Sequence, residues 1–416
     1  MDLDRTELIP PLRGYSPHMG SEISAFLADT LRELRGSSTG TAQWSPSVRA
    51  FADLLWRDPI VHMYTLAMLD EVPEPNRTVS DIPELVRALD LLSTRAPEYH
   101  PDPGRSNFFP VSTLFVHMME TPAGRVLCRN TAFNDGLRRI LASWCAHLDS
   151  PKSRDVLHTG DNGWLCASSY ERNNLHDYII PDPADPHWGF ASFNDFFHRQ
   201  IRPDRRPVAA PHDSRVIVSP NDGTLYKVAQ DVRGFDRFWI KCQPYSIYHM
   251  LNGDRISRKF EGGTVFQSFL DGRNYHRFWS PVAGTVTRIE TIPGLMFSSV
   301  DALRGDTTAG TYSQAYMSCV NTRTVVTIDA EHPGIGTLCL VAIGISEISS
   351  ISMSVEVGSR VRKGAELGYF SYGGSSVCLV FRPGAVCGFT IDTDFTGTEL
   401  GTRGIALRAG QEIAVH

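Results

Sequence analysis

The sequence lacks the patterns that mark several large classes of protein. It has no block of Lys and Arg, and its formal net charge of -6 comes from interspersed charges of both signs, so nothing indicates a nucleic-acid or lipid partner. Its longest apolar run, residues 338–345, is far too short to cross a bilayer. The first twenty residues lack the apolar core of a signal peptide. We therefore expect a soluble, cytoplasmic protein without a membrane anchor that acts on a small molecule.

The motifs of common cofactor sites are missing as well. There is no H-E-x-x-H or C-x-x-C pattern among the 14 His and 8 Cys residues, so no metal site is expected. Neither a complete G-x-G-x-x-G fingerprint nor a P-loop occurs, which leaves no support for a nucleotide cofactor. The eight cysteines, Cys242 among them, stand mostly in apolar contexts and are expected to be reduced, mostly buried thiols.

Helical patterns fill the first part of the chain. In "TVSDIPELVRALDLLSTRAP" (78–97), Ser80 is a candidate N-cap. One apolar stripe of this segment is formed by Ile82, Leu85, Val86, Leu89 and Leu92. "FNDGLRRILASWCAHL" (133–148) has a similar stripe formed by Leu137, Ile140, Leu141, Trp144 and Leu148. We predict a helical N-terminal domain over residues 1–150.

The pattern changes after a stretch rich in Pro, Asp and Gly. Residues 151–189 read as a connecting segment, because such residues break helices. Beyond it, short β-branched and aromatic runs alternate with Gly, Pro, Asn and Asp turns. We predict a mostly β catalytic domain over residues 190–416, antiparallel or mixed, and an α+β fold for the whole chain.

One short stretch of the β region admits two interpretations. In "YFSYGGSSVCLVFR" (369–382), the pair Gly373 and Gly374 stands between two strand-like arms, which is typical of a tight hairpin turn. The same residues permit chemistry, because the hydroxyl of Ser375 can attack the carbonyl carbon of Gly374. An N-to-O acyl shift followed by β-elimination would release the upstream chain and convert Ser375 into a pyruvoyl group. The self-cleavage motif would then be residues 373–376.

Two further residues are candidates for acid-base work. Asp222 lies in "SPNDGTL" (219–225), which favours a surface turn, but its carboxylate could also orient a base or the serine. His276 lies in the aromatic stretch "GRNYHRFWSP" (272–281). A histidine in such a strand is commonly structural, yet it also suits proton transfer near neutral pH.

These motifs occur together in an order that resembles the phosphatidylserine decarboxylase family. The resemblance rests on "FASFNDFFHRQIRPDRRPV" (190–208), "SPNDGTL", "YHRFWSPVAGTV" (275–286) and "VEVGSRVRKGAELGYFSYGGSSVCLVF" (355–381). The helical region is similar to the extra domain of a soluble branch that includes decarboxylases of tryptophan and other aromatic amino acids.

The resemblance implies a decarboxylase that carries a covalent pyruvoyl group and needs no pyridoxal phosphate, metal or nucleotide. It implies cleavage between Gly374 and Ser375, with Ser375 as the pyruvoyl precursor. Asp222 corresponds to the acid of the family's Asp-His-Ser cleavage triad, and His276 corresponds to the histidine of the decarboxylation step. The triad histidine, however, is replaced by Trp279, whose indole nitrogen can only donate a hydrogen bond.

Three hypotheses therefore stand. The leading one is a pyruvoyl-dependent decarboxylase of a free, aromatic L-amino acid, which yields the amine and carbon dioxide. In the second, the chain stays uncleaved and Ser375 acts as a nucleophile in acyl transfer or condensation, as the Trp279 replacement suggests. The third is a pseudoenzyme that keeps the fold for binding alone.

Overall fold

A computed structural model describes residues 19–36, 44–74, 76–102, 109–236, 245–253, 255–270, 272, 274–298, 313–347, 350–372, 374–393 and 405–416. Three features used in the sequence predictions lie outside these described residues: the segment 1–18, Cys242 and Gly373. No helix within the described ranges is long and apolar enough to cross a membrane. The α+β class predicted from the sequence is confirmed.

The helices cluster in the first half of the chain. The α-helices are α1 (Met19–Gly36), α2 (Pro46–Arg57), α3 (Pro59–Glu71), α4 (Ile82–Ser93), α5 (Pro110–Phe115), α6 (Pro122–Leu127), α7 (Thr131–Leu148), α8 (Ala167–Arg172), α9 (Phe193–Phe197), α10 (Ile247–Met250) and α11 (Gln314–Val320). Single 3-10 segments lie at Pro151–Val156, Leu175–Asp177, Pro203–Arg205 and Arg255–Lys259.

The two helical stripes predicted from the sequence are confirmed. Every residue of the stripes in α4 and α7 is buried in one hydrophobic cluster of the helical region. The N-cap prediction is wrong by one residue, because Asp81 caps α4 by accepting from the backbone N–H of Glu84. Ser80 instead donates its hydroxyl to the Glu84 carboxylate.

The strands follow the helices. They are β1 (Val216–Val218), β2 (Gly223–Ala229), β3 (Thr264–Leu270), β4 (Arg277–Trp279), β5 (Gly284–Ile292), β6 (Arg323–Ala330), β7 (Thr337–Ile345), β8 (Ile351–Met353), β9 (Arg360–Val361), β10 (Glu366–Phe370), β11 (Gly374–Phe381), β12 (Gly388–Phe389), β13 (Ala406–Leu407) and β14 (Glu412–Val415).

These strands form one large and two small sheets. The large sheet has the order β13-β2-β3-β11-β7-β6-β5-β9, and the small ones have the orders β1-β14-β12 and β4-β10-β8. All pairs of these named strands are antiparallel. Hydrophobic clusters cover both faces of the large sheet, so its central strands are buried on both sides.

The predicted hairpin at the glycine pair is wrong. Its first arm, β10, pairs with β4 and β8, whereas its second arm, β11, pairs with β3 and β7 of the large sheet. Between the arms, the side chain of Tyr372 is buried in the hydrophobic cluster of the helical region. The chain therefore passes from one sheet to another at this point instead of folding back on itself.

The helical core extends beyond the first 150 residues. It includes Trp164 and Leu165 from the predicted connecting segment, and also Phe193, Phe297 and Tyr372 from the predicted catalytic domain. The division into residues 1–150, 151–189 and 190–416 stays a prediction. What matters for the site is that helical and β regions share a core next to the start of β11.

Candidate functional site

The two serines at the start of β11 have different surroundings. Alternate side chains of a strand point to opposite faces, so Ser375 shares the face of Val377 and Ser376 shares the face of Cys378. Ser376 is fully buried and hydrogen bonded, since its Oγ donates to the Ser268 carbonyl at 2.8 Å and accepts from Gln267 Nε2 at 2.8 Å. Ser375 is 1% exposed, and its Oγ finds no hydrogen-bond partner among the described residues.

A network behind Ser376 holds this part of the strand. Gln267 of β3 accepts from the hydroxyl of Tyr245 at 2.6 Å and donates to the carbonyl of Gln314 at 3.2 Å. Gln267, Ser376 and Tyr245 are at most 1% exposed. Because buried polar groups that are fully bonded resist rearrangement, the network fixes the register of β11 and keeps the Ser375 hydroxyl on the opposite face.

Asp222 lies two strands away from Ser375 in nearly the same row of the sheet. Gly223, the next residue, begins β2, and Thr224 pairs with Phe269 of β3. Leu270, one residue further along β3, pairs with Ser375. At the usual spacing of about 4.8 Å between strands, the two backbone positions are on the order of 10 Å apart.

The carboxylate of Asp222 is buried and held by a cation. Arg206 Nε lies 2.8 and 3.0 Å from the two carboxylate oxygens, and its Nη2 lies 2.5 Å from Oδ2. The backbone N–H of Ala409 also donates to Oδ1 at 2.8 Å. Asp222 is 6% exposed, so the structure does not support the surface turn that its sequence context favoured. Burial works to lower the pKa of the Arg206 guanidinium, but the hydrogen bonds that it donates to Asp222, together with the charge of that carboxylate, raise this pKa overall.

Trp279 packs beside the segment that holds Asp222. Its ring lies in a small hydrophobic cluster with Tyr178, Ile201, Tyr275 and Ala409, the residue whose N–H bonds Asp222. Its backbone N–H donates to the Pro220 carbonyl at 2.7 Å. Burial raises the pKa of the Tyr275 phenol well above its ordinary value, while a hydrogen bond with Trp279 opposes that rise. The position of the expected triad histidine is thus close to Asp222 but is filled by an apolar ring.

His276 directly precedes β4 and lies on the side of the chain opposite to Trp279. It is fully buried, and its ring lies 4.1 Å from the ring of Phe197. By the alternation along the chain it shares the side of Phe278, which packs on the same face of the large sheet as Val377. Its Nδ1 lies 2.8 Å from the carbonyl oxygen of Asn274. Since a carbonyl can only accept, Nδ1 carries the proton, and Nε2 is the nitrogen that can exchange one.

Several residues that shape this site were not singled out from the sequence. They are Arg206, Gln267, Tyr372, Asn194 and Glu347. Arg206 stands in "RPDRRPV", where three arginines offer no sign of which one is buried. Glu347 follows a strand in a polar stretch, and nothing in its neighbourhood signals burial. No group of three or more possible metal-binding side chains occurs among the described residues.

Replacing Arg206 with glutamine is expected to destabilise the protein by about 3–5 kcal/mol, because it leaves the buried Asp222 carboxylate without its counter-ion. Arg205→Gln is the matched control. The Arg205 side chain is 43% exposed and lies 3.5 Å from Asp177, so its loss should cost only about 0–1 kcal/mol. Urea denaturation of both variants measures the difference. Equal urea midpoints for the two variants would contradict the view that the buried Asp222 carboxylate needs Arg206 as its counter-ion.

Comparisons with known proteins place the chain beside decarboxylases. A family model described as phosphatidylserine decarboxylase matches residues 193–414, and a second model with the same description matches residues 45–172. Decarboxylase iboD of Amanita muscaria is 37% identical over 68% of this chain and 86% of the relative. The L-tryptophan decarboxylase of Psilocybe cubensis is 29% identical over 80% of both chains. The phosphatidylserine decarboxylase proenzyme of Chlamydia trachomatis serovar L2b is 29% identical over 73% of this chain and 91% of the relative.

Proposed function

The chain belongs to the phosphatidylserine decarboxylase family and is a carboxy-lyase, and from this premise we propose that it decarboxylates a free, aromatic L-amino acid by means of a pyruvoyl group derived from Ser375. The substrate class follows the Psilocybe cubensis relative named L-tryptophan decarboxylase, which aligns over 80% of this chain. The products are the amine and carbon dioxide. That the protein works in the cytoplasm stays a prediction.

The observation that carries this proposal is the buried hydroxyl of Ser375. A buried polar group without a partner costs about 1–3 kcal/mol, and such a cost is commonly found at functional sites. Among the described residues, the Ser375 hydroxyl has no hydrogen-bond partner, whereas the Ser376 hydroxyl both donates and accepts a hydrogen bond. The Ser375 hydroxyl directly follows Gly374, whose missing side chain leaves the carbonyl carbon open to attack. Ser375 is therefore the residue suited to become the pyruvoyl group.

The cleavage that we propose consumes one water and releases one ammonia. Ser375 Oγ attacks the carbonyl carbon of Gly374, the peptide C–N bond breaks, and an ester with a free amine forms. Removal of the Cα proton of Ser375 then breaks its Cβ–O bond and releases the Gly374 carboxylate. The remaining unsaturated amine tautomerises to an imine, which water hydrolyses to the ketone. Asp222, fixed by Arg206, would orient the water or base that assists the first step.

Once formed, the pyruvoyl ketone would bind the substrate amine and accept the electrons left behind by carbon dioxide. His276 would supply the proton that Cα then requires. The arrangement of His276 suits this role, because Nδ1 donates to the Asn274 carbonyl, so a proton that the imidazole gains from water and passes to Cα would be carried by Nε2. The ring of Phe197 at 4.1 Å restricts the imidazole to one orientation.

Mass spectrometry of the purified chain under denaturing conditions tests the proposal. We expect two fragments, residues 1–374 and 375–416. The second should be lighter by one ammonia, and by nothing else, than the same fragment beginning with serine, because hydrolysis restores the oxygen that β-elimination removes. Carbon dioxide release should be measured with a panel of L-amino acids and with phosphatidylserine vesicles. A single intact chain that nevertheless releases carbon dioxide would rule out the pyruvoyl mechanism. Release from the vesicles alone would rule out the substrate class.

One observation favours a second candidate function. Trp279 replaces the triad histidine, and the Asp222 carboxylate is already held by Arg206 and Ala409. Without a base the chain would remain uncleaved, and Ser375 would act as a nucleophile in acyl transfer or condensation. Trp279→His separates the two candidates. Faster cleavage of this variant would favour the leading proposal, and an intact chain with unchanged activity would favour the second.

A further inference from the structure

Two chain segments next to the proposed scissile peptide contact the helical region. In the large sheet, Gly374 of β11 pairs with Ile345 of β7. Tyr372 stands two residues before Gly374, and Glu347 stands two residues after Ile345. The two side chains interact electrostatically, because burial and then the negative charge of Glu347 raise the pKa of Tyr372. Both residues make their contacts with helices of the first half of the chain.

Tyr372 is anchored by rings and by one backbone hydrogen bond. Its ring lies 5.3 Å from Trp144 of α7 and 5.1 and 5.4 Å from Phe197 and Phe193 of α9. Its backbone N–H donates to Asn194 Oδ1 at 3.2 Å. Asn194 is fully buried, and its Nδ2 donates to Asp149 Oδ1 at 2.8 Å, directly after α7. The residue two positions before Gly374 is thereby tied to two helices.

Glu347 anchors the neighbouring strand. Its carboxylate accepts from the backbone N–H of Val111 at 2.5 Å, from the N–H of Ser112 at 2.9 Å and from the Ser112 hydroxyl at 2.8 Å. These donors lie at the start of α5, more than 230 positions earlier in the chain. Glu347 is 6% exposed, and burial raises its pKa to about 7 against the effect of the three donors.

From these contacts we propose that Asn194 and Glu347 are positioning residues for self-cleavage, through which the helical region holds the Gly374–Ser375 peptide in reach of the Ser375 hydroxyl. This inference rests on the self-cleavage proposed above. An intramolecular attack depends steeply on geometry, and a displacement of about 1 Å can slow a reaction by about 10²-fold. We call Asn194, Glu347 and Tyr372 the clamp. If its contacts are weakened, the chain should cleave itself slowly, even though all the reacting groups are present.

The test compares Asn194→Ala and Glu347→Ala with Glu84→Ala in the full chain. Glu84 is a matched control, because it is 3% exposed and accepts hydrogen bonds from Arg35, the Ser80 N–H and the Ser80 hydroxyl, but belongs to α4. The fraction of cleaved chain is followed on denaturing gels during cell-free synthesis. We expect the two clamp variants to be cleaved about 10- to 100-fold more slowly than the wild type, and Glu84→Ala to be cleaved at the wild-type rate.

Two further measurements separate positioning from general loss of structure. Thermal midpoints should fall by similar amounts in all three variants. The turnover of each cleaved chain, counted by its pyruvoyl end, should remain at the wild-type value, whereas misfolding would lower cleavage and turnover together. Equally slow cleavage in Glu84→Ala, or wild-type cleavage in both clamp variants, would overturn the clamp and leave the proposed function standing. A wild-type chain that never cleaves would instead overturn the proposed function, and the clamp with it.

Discussion

Ser375→Ala is expected to yield one intact chain of 46.2 kDa with no measurable decarboxylation. The variant lacks the hydroxyl that we propose attacks the Gly374 carbonyl, and without cleavage no pyruvoyl group would form. Because enzymes accelerate reactions by at least about 10⁶-fold over the uncatalysed rate, losing the reacting group should bring the activity to background. Gel mobility and carbon dioxide release measure the two effects.

Ser376→Ala is the matched control for this prediction. It removes the hydrogen bond from Gln267 Nε2 and the one to the Ser268 carbonyl, and the loss of these two buried contacts should cost about 1–3 kcal/mol of stability. Cleavage and decarboxylation should persist. If Ser376→Ala were the uncleaved variant and Ser375→Ala matured, the assignment of the two serines would be reversed. If both variants kept full activity, the decarboxylation would not depend on either hydroxyl.

The contrast between these serines shows what the sequence could and could not predict. The order of motifs, the helical stripes of α4 and α7, and the change to β-structure were all readable, because each depends on local periodicity or on residue identities. Ser375 and Ser376 are adjacent and carry the same hydroxyl group, so local sequence alone does not distinguish their roles. Their difference arises from Gln267, which reaches Ser376 across a strand pair between distant segments.

The same reasoning explains the failed hairpin. Two glycines between apolar arms are a sound local signal for a turn, but β10 and β11 pair with other strands, in separate sheets. Between these strands, Tyr372 is buried among Trp144, Phe193 and Phe197 of the helical region. No local sequence pattern connects residue 372 with that helical core, so this contact could not be predicted. The pairing of Arg206 with Asp222 was hidden for a similar reason, because several neighbouring arginines were equally plausible partners.

His276→Gln is expected to separate maturation from turnover. The variant keeps a neutral, hydrogen-bonding side chain of similar length, but glutamine cannot exchange a proton near neutral pH. Self-cleavage should proceed, since the Ser375 hydroxyl and the Gly374 carbonyl are untouched. Decarboxylation by the cleaved chain should fall by about 10²–10⁴-fold, the usual contribution of a positioned acid or base.

His198→Gln provides the control for that experiment. His198 is a neighbouring histidine whose ring lies 4.4 Å from Tyr369, and burial followed by the charge of Arg277 lowers its pKa. His198 has no proposed role in proton transfer, so its replacement should change turnover by less than about tenfold, well below the usual contribution of a positioned acid or base. If His276→Gln remained uncleaved, the histidine would act in maturation as well and would take over the task of the residue replaced by Trp279. If instead it matured and decarboxylated like the wild type, the proton would have to reach Cα from another group.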